Sequence, residues 1–375
     1  MYKVIKKIEK LDPYFEVCKA GIICKTGILI EERVGTGDIV FEEWHLITET
    51  EKIIFDCNPA YAPLVIDDKV FTGSSRDRNN NIVFNLKGEV LFKKNSSEAI
   101  VFHKISGDQT GIEKQYLLQM SKPNDLKEYG LIDKERNVVL PLNHRVSWGI
   151  VHMLDDLFIV GMDLKSFTTY HFPSKTRLWD CDISHFGDYR DGIWKTEVRL
   201  SHILGLYNEF IYVLLTNNVC IEVHKQTGKI TCQWENMDSC LLDKKRGRIL
   251  GFKIDYRDHE TKCTRRVVNL NSKEVYVADV SQKISKRNIN RLIINKGTTV
   301  QGDHFICIFE SINSPEDWKY GYMTGLISYN LKTDEIDWQY LLQEGMFAGN
   351  PLIVDDKIYV MNGGLRELWV FQKES

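Results

Sequence analysis

The chain has 375 residues, with 49 Lys and Arg against 52 Asp and Glu and a formal net charge of -3. With 43% hydrophobic and 27% charged residues, it has the composition of a globular protein able to bury a large core. The near balance of charge does not favour nucleic acid or an anionic membrane as a partner of the whole molecule. No apolar run approaches the ~18 residues that a membrane-spanning helix needs.

The N-terminal segment carries basic residues but no uninterrupted apolar stretch and no small-residue cleavage site, so we expect no secretory signal. Nine cysteines are scattered along the chain without a C-x-x-C pair. The sequence therefore predicts a cytoplasmic protein with reduced thiols. It has no Gly-rich phosphate loop, no G-x-S-x-G motif and no cysteine set at zinc spacing, so we expect no cofactor and no metal.

A tail made of a strand, a tight turn and a second strand recurs along the chain. Its clearest copy is Glu222–Trp234, which follows the apolar run Phe210–Leu215. A longer form occurs at Arg33–Phe41, His171–Trp179, His224–Trp234 and Asn330–Trp338, and a form one residue shorter occurs at Asn85–Phe92, Asp133–Leu140 and Asn269–Tyr276. Gly, Asn or Asp at the corner tolerates the positive φ of a tight hairpin. Each tail therefore predicts the turn between the third and fourth strands of a repeat.

A leading hairpin also repeats, at Pro63–Phe71, Pro351–Tyr359 and, more loosely, Ile150–Phe158. Each copy contains an Asp-Asp pair: Asp67–Asp68, Asp355–Asp356 and Asp155–Asp156. Carboxylates accept backbone N–H bonds at two-residue turns. We therefore interpret these pairs as turn residues rather than as catalytic dyads.

Dividing the chain at the tails gives units at 14–46, 57–94, 98–142, 149–183, 202–236, 239–280, 298–342 and 349–374. The last unit lacks a strand, and residues 1–10, which alternate apolar and polar, are predicted to supply it. A repeat of about 47 residues with four strands predicts an all-β fold, a single β-propeller over residues 1–375. Its four-stranded antiparallel blades would number eight, with the ring closed by the N-terminal strand completing the C-terminal blade. Seven blades are the alternative, because the unit at 98–142 is the weakest.

The tails resemble the tryptophan-docking repeat of PQQ-type (quinoprotein-like) propellers, in which Thr-Gly-Lys and a following Trp pack neighbouring blades together. Thr227-Gly228-Lys229 and the segment from Thr333 to Trp338 are the closest copies, whereas other aromatic or apolar residues replace the Trp at Phe41, Phe92, Leu140 and Tyr276. The resemblance implies the fold only. The quinone dehydrogenases of that family carry an export signal and a vicinal disulfide, and this chain has no Cys-Cys pair.

The predicted first-to-second and third-to-fourth turns are short, and most of the long insertions fall in the other connections: 74–81, 181–200, 255–262, 281–296 and 310–323. Long loops grouped on one side of a rigid scaffold indicate a binding face. Residue types that form hot spots or acid–base sites occur there at His185, Asp188, Tyr189, Arg190, Asp191 and Trp194. Further candidates are the aromatic residues Trp318, Tyr320 and Tyr322, and a basic rim of Arg76, Arg78, Lys283, Lys286, Arg287 and Arg291.

Two hypotheses follow for function. The first is a non-enzymatic interaction or scaffold protein, of the inhibitor, immunity or assembly type, that binds another protein through the long-loop face. The alternative is an enzyme or binding protein for a small molecule or carbohydrate at the mouth of the central channel, with His185, Asp188 and Arg190 as its polar groups. The absence of catalytic spacing favours the first hypothesis, and the second stays open.

Overall fold

The computed structural model describes two compact units of the chain. The N-terminal unit comprises Lys10–Phe186 with Gln226–Gly228, and the C-terminal unit comprises Met1–Glu9, Gly187–Lys225 and Lys229–Ser375. The prediction of a single domain over residues 1–375 therefore stays a prediction. The described residues are 2–30, 38–57, 63–73, 80–95, 100–107, 114–121, 130–142, 151–161, 165–191, 194–257, 260–294, 300–311, 323–343, 346–363 and 365–374.

The strands of the N-terminal unit form four sheets, each containing four antiparallel strands in chain order. The first two sheets, blades one and two, consist of β2 (Leu11–Cys18), β3 (Gly21–Ile30), β4 (Asp38–Ile47) and β5 (Lys52–Phe55), then β6 (Leu64–Ile66), β7 (Lys69–Thr72), β8 (Asn80–Asn85) and β9 (Val90–Asn95). Blade three consists of β10 (Ile100–Lys104), β12 (Leu117–Ser121), β13 (Gly130–Ile132) and β14 (Val138–Pro141). Blade four consists of β15 (Val151–Leu154), β16 (Leu157–Gly161), β17 (Ser166–His171) and β18 (Thr176–Asp182), with β11 (Ser106–Gly107) added parallel to β15.

The C-terminal unit contains four further sheets and a separate hairpin, β19 (Asp188–Asp191) with β20 (Trp194–Glu197). Blades five and six consist of β21 (Leu200–Tyr207), β22 (Phe210–Leu215), β23 (Cys220–His224) and β24 (Ile230–Trp234), then β25 (Cys240–Asp243), β26 (Arg248–Arg257), β27 (Glu260–Asn269) and β28 (Val275–Asp279). Blade seven consists of β29 (Arg291–Ile293), β31 (His304–Ser311), β32 (Met323–Asn330) and β33 (Glu335–Leu341), with β30 (Val300–Gln301) paired to β31. Blade eight consists of β34 (Phe347–Val354), β35 (Lys357–Asn362), β36 (Glu367–Lys373) and β1 (Tyr2–Ile8).

The architecture is all-β, with eight four-stranded antiparallel blades arranged as an eight-bladed β-propeller. Helix in the described residues is limited to α1 (Ser281–Ser285) and short 3-10 turns. The predicted fold class is confirmed, and the seven-blade alternative is wrong because the weak repeat forms blade three. β1 pairs with β36, from Tyr2 opposite Lys373 to Ile8 opposite Leu368, so the N-terminal strand completes the C-terminal blade.

Within each unit, hydrophobic cores lie between successive blades. Phe55 of blade one meets Phe84 of blade two at a ring-centroid distance of 5.4 Å. Phe252 of blade six meets Tyr329 of blade seven at the same distance, 5.4 Å. Because both faces of such a strand are packed, the strand must be apolar on both faces. The apolar run Leu157–Gly161, which is buried at every position, is an example.

Six of the seven predicted tails connect the third and fourth strands of a blade, as expected. Six corner residues at these turns have positive φ between 57° and 81°: Gly88, Arg136, Lys175, Gly228, Lys273 and Asp334. The tail predicted at Arg33–Phe41 is wrong, because this segment joins β3 to β4, the second and third strands. The third-to-fourth turn of blade one lies at Thr48–Glu51, where the backbone N–H of Glu51 donates to Oγ1 of Thr48 at 2.9 Å.

Two predicted insertions contribute to the blades. The segment at 281–296 contains β29, the first strand of blade seven, after the short helix α1. The segment at 255–262 is the distal part of the hairpin β26–β27, whose ten-residue strands extend beyond the part of β27 that pairs with β28. Hydrophobic alternation was too short at β29, only three residues, to identify it as a strand.

Candidate functional site

The richest predicted segment forms two local structures. Ser184–Phe186 is a 3-10 turn at the end of the N-terminal unit, and the exposed ring of His185 packs on Phe186 with centroids 4.3 Å apart. The backbone N–H of Ser184 donates to Oδ1 of Asp182 at 2.8 Å, and this hydrogen bond is the main reason that the pKa of Asp182 is lowered. The polar groups of this turn therefore stabilise the turn itself.

The hairpin β19–β20 belongs to no blade. Its register places Asp188 opposite Glu197, Tyr189 opposite Thr196, Arg190 opposite Lys195 and Asp191 opposite Trp194. The backbone N–H of Val198 donates to the carbonyl of Gly187 at 2.9 Å and extends the pairing by one step. Tyr189 is half-buried, whereas the side chains of Arg190, Asp191 and Trp194 lie outside the description. The ribbon thus places five of the predicted binding residues on one two-stranded element.

Within the hairpin, the carboxylate of Asp188 is already engaged. Its Oδ2 lies 2.8 Å from Nζ of Lys195, an exposed ion pair. The catalytic interpretation of this segment gains no support from the described geometry and stays a prediction.

Several predicted site residues lie outside the described residues, namely Arg76, Arg78, Trp318, Tyr320 and Tyr322. The rest of the proposed basic rim is partly engaged by blade seven. Lys283 lies 3.3 Å from Glu335, and Nη2 of Arg287 donates to the carbonyl of Ile336 at 2.6 Å. The three Asp-Asp pairs occupy two-residue turns, with φ of 52° at Asp67, 50° at Asp155 and 56° at Asp355. Their interpretation as turn residues is confirmed.

Contacts between blades recur at one position: the outer strand of one blade meets the positive-φ residue in the third-to-fourth turn of the next blade. A Cβ on Gly228 would lie 2.5 Å from the ring of Trp179, so only glycine fits there. The guanidinium of Arg136 lies 3.6 Å from the ring centroid of Phe92, and Nζ of Lys273 lies 5.8 Å from that of Trp234. The docking position is thus shared by several blades, although the groups that fill it differ.

Blades six and seven are joined at the corresponding corner by charge. Arg248 lies between two carboxylates, with Nε 2.9 Å from Asp243 and Nη2 3.1 Å from Asp334. Arg265 also reaches Asp334, at 3.2 Å. We call the set of Asp243, Lys245, Arg246, Arg248, Arg265, Asp303 and Asp334 the ionic lock.

Two features show how tightly the ionic lock is held. Asp243 is 2% exposed and contacts Arg246 at 3.2 Å in addition to Arg248. Hydrogen bonds from Lys245 and Arg246 lower the pKa of Asp303 to about 2. A buried carboxylate persists only with such partners. Sequence reasoning missed the ionic lock, because its partners lie as far as 86 residues apart and no local spacing indicates them.

A buried glutamate joins blades five and six. Glu222 is 2% exposed, and it accepts hydrogen bonds from the hydroxyls of Tyr212 at 2.7 Å and Thr231 at 2.8 Å. Its remaining partner is the ammonium of Lys273, at the corner of blade six. Burial, followed by the bond to Glu222, raises the pKa of Tyr212. The site is fully occupied by its own side chains and works as a structural contact.

The outer strands differ in how they protect their free edges. The outer strand of blade eight, β1, carries Lys3, Lys6 and Lys7, and the carbonyl of Ile336 in β33 is capped by Arg287. Charged residues or proline interrupt the outer strands of blades one to four: Lys52, Lys93, Lys94, Pro141, Arg177 and Asp180. Such devices prevent strands of other chains from pairing with an edge. β28 has none of them between Val275 and Ala278, and three of these residues are exposed large apolar side chains.

No helix in the described part of the chain is long and apolar enough to cross a membrane. Among the same residues, no group of three or more His, Cys, Asp or Glu side chains could hold a metal ion. None of the nine cysteines forms a disulfide.

No protein-family model matches the chain, and no curated protein matches it in sequence. Solved structures do match. The C-terminal WD40 domain of Sif2 is 14% identical with a TM-score of 0.51, over 100% of this chain and 99% of that chain. The computationally designed Ika8 protein is 9% identical with a TM-score of 0.50, over 99% and 98%. BamB from Moraxella catarrhalis is 12% identical with a TM-score of 0.45, over 83% of this chain and 96% of that chain.

At such low identities, the likeness to the first two structures shows the β-propeller fold and nothing more. The resemblance to PQQ-type propellers holds at the same level. Its most specific counterpart in the structure is the packing of Trp179 on Gly228.

Proposed function

We propose that the chain is a non-enzymatic protein-interaction module that binds another protein through its long connections, with the hairpin β19–β20 as a principal contact element. The observation that carries the proposal is that this ribbon pairs with no blade and brings Tyr189, Arg190 and Trp194 onto one element. Tyr, Arg and Trp are the residue types most enriched among the hot spots of protein interfaces.

The blades that carry the hairpin support this function by their rigidity. The ionic lock and the buried Glu222 fix consecutive blades of the C-terminal unit through charged hydrogen bonds. A rigid support reduces the conformational entropy that a binding element loses on association. Binding through a preorganised ribbon therefore needs no rearrangement of the blades.

The proposal includes a reducing, cytoplasmic setting. It is supported by the nine cysteines, none of which forms a disulfide and several of which are buried in the blades. We propose no enzymatic function, because the carboxylate of Asp188, the acid–base candidate of the hairpin, is paired with Lys195.

The experiment is an affinity purification with the full chain, followed by titration calorimetry against any stoichiometric protein recovered. The test variant combines Arg190→Ala and Trp194→Ala, and the control is Leu91→Ala, an exposed residue of outer strand β9. We expect the double variant to weaken binding at least about tenfold and the control to bind as the parent does. Recovery of no stoichiometric partner, or equal affinity of the double variant, would contradict the proposal.

A further inference from the structure

The outer strand of blade six presents an unprotected edge. Val275 is 40%, Tyr276 56% and Val277 57% exposed, although they are consecutive and lie on both faces of the strand. Nothing else in the described part of the chain pairs with this edge. The pairing of β28 with β27 also lacks a bulge, whereas β9, β14, β18, β24 and β33 each have one. Bulges twist an edge away from intruding strands, so β28 is both apolar and regular.

The hydrogen bonds at the two ends of β28 fix which backbone groups point outward. The N–H of Asn269 donates to the carbonyl of Glu274, and the N–H of Val280 donates to the carbonyl of Cys263, both at 2.9 Å. Hydrogen-bonded pairs alternate along an antiparallel ladder. Residues 274, 276, 278 and 280 therefore bond inward to β27. Val275, Val277 and Asp279 present their N–H and C=O groups to the free edge.

The sequence of this edge is self-complementary. Val275-Tyr276-Val277 reads the same in both directions, as a two-fold axis at Tyr276 requires. In an antiparallel pair about that axis, Val275 lies opposite Val277 of the second copy, and both have outward backbone groups. Each Tyr276 lies opposite its counterpart in a non-hydrogen-bonded pair, where side chains approach most closely. Aromatic pairs directly across strands stabilise a sheet.

We propose that a second copy of this chain docks on β28, edge to edge, with the two-fold axis at Tyr276. The contact joins two blades into one continuous antiparallel sheet. It is separate from the hairpin β19–β20, so self-association does not depend on the partner proposed above. A contact of this length is small, and we expect a reversible dimer with a dissociation constant between about 1 µM and 1 mM.

Sedimentation velocity over about 1 µM to 1 mM total chain tests the proposal, since this range brackets the expected dissociation constant. Val277→Pro removes an outward N–H and leaves the bonds to β27 intact, so it should weaken dimerisation at least about tenfold without unfolding the chain. Val277→Lys is a second variant, which introduces the charge that edges commonly carry. Leu91→Lys, on exposed strand β9, is the matched control and should dimerise as the parent does.

Cysteine cross-linking tests the register. Oxidation of Tyr276→Cys should join two copies, because Cα atoms of non-hydrogen-bonded pairs lie about 4.5 Å apart, within disulfide range. Residue 274 lies opposite Ala278 of the second copy, so a cysteine in the variant Glu274→Cys has no cysteine opposite it. This variant should cross-link no faster than the parent, whose rate measures the background from native thiols. A parent chain that stays monomeric at every concentration would overturn the proposal. The edge of β28 would then be left to a strand of another protein. A Val277→Pro variant that dimerises normally, or equally fast cross-linking by Glu274→Cys, would also overturn the proposal.

Discussion

The outer strands β24 and β28 of the C-terminal unit follow corners of the same kind but end in opposite environments. Gly228 before β24 has φ of 68°, and Lys273 before β28 has φ of 63°. Trp234 at the end of β24 is 7% exposed and stacks on Tyr212 at 6.3 Å, whereas Tyr276 of β28 is open to solvent. One strand is docked against its neighbours, and the other has a free surface.

The difference originates in the register of the hairpins. On β24, Thr231 is an extra residue, because Glu222 pairs with Cys232 and Val223 with Ile230. Between β27 and β28, Val267 pairs with Tyr276 and Val268 with Val275, so β28 has no extra residue at this point. Since side chains alternate between faces, one inserted residue reverses the face of everything after it. The longer tail with its bulge therefore buries its aromatic residue, and the shorter, regular tail of β28 does not.

The largest expected effect comes from truncating the two aromatic residues in parallel. Trp234→Ala removes a buried ring and should lower the free energy of unfolding by about 3–5 kcal/mol. Tyr276→Ala removes an exposed ring and should change it by about 0.5 kcal/mol or less in the monomer. Chemical denaturation at low protein concentration measures both. Similar losses for the two variants would break the distinction between docked and free strands.

Blade six sharpens the comparison, because it is held to blade seven by the ionic lock rather than by a docked tryptophan. Arg248→Ala leaves Asp243 buried with only part of its partners, and we expect a loss of about 3 kcal/mol in the free energy of unfolding. The control Lys195→Ala breaks an exposed pair and should cost about 1 kcal/mol or less. Denaturant titrations of both variants provide the measurement. A loss from Arg248→Ala no larger than that from the control would show that the ionic lock is not a structural contact.

Blade one provides a pH-dependent contrast, since its outer strand has no aromatic residue at the corner contact. His45 is buried, with Nε2 2.7 Å from Oγ1 of Thr26, and burial together with nearby Lys52 lowers its pKa to about 4. The folded state then binds fewer protons than the unfolded state between about pH 6.5 and 4. The free energy of unfolding should therefore fall as the pH is lowered through this window, by up to about 3 kcal/mol.

Thermal and denaturant melts from pH 7 to 4, on the parent and His45→Gln, isolate that contribution. The parent should lose more stability than the variant as the pH falls. Parallel pH profiles would contradict a neutral, buried His45. In that case the free energy of unfolding would not depend on the protonation of His45, and blade one would not differ from the docked strands of the C-terminal unit in its response to pH.

Local patterns in the sequence were sufficient for the repeat but not for the contacts between repeats. The corners at Gly88, Gly228 and Asp334 follow from turn chemistry, and the pairing of Tyr2–Ile8 with the last blade follows from alternation, both of which act over a few residues. Arg136, Lys175 and Lys273 have positive φ at the corresponding corners although their residue types do not predict it. The tail at Arg33–Phe41 was misplaced because the same turn residues suit any hairpin, including one between second and third strands. Tail length was visible in the sequence, yet its effect on which face is buried depends on a bulge.

The candidate site was predictable only in part. Asp188–Trp194 was identified by its residue types, but its separation as a ribbon outside the blades depends on pairings that its sequence does not specify. The open edge of β28 could have been found by searching the outer strands for one with three consecutive large apolar residues and no lysine, arginine or proline. The ionic lock could not, because Arg248 and Asp334 meet only through the packing of two blades.

Residue-resolved amide exchange along β28, followed by NMR at low and high protein concentration, tests the central claim most directly. At low concentration Tyr276 and Ala278, bonded to β27, should exchange slowly, and Val275 and Val277 should exchange rapidly. Raising the concentration should slow exchange at Val275 and Val277 while the other two change little. Equal protection of Val277 and Tyr276 in dilute solution, or exchange at Val277 that is independent of concentration, would contradict an open edge covered by a second copy.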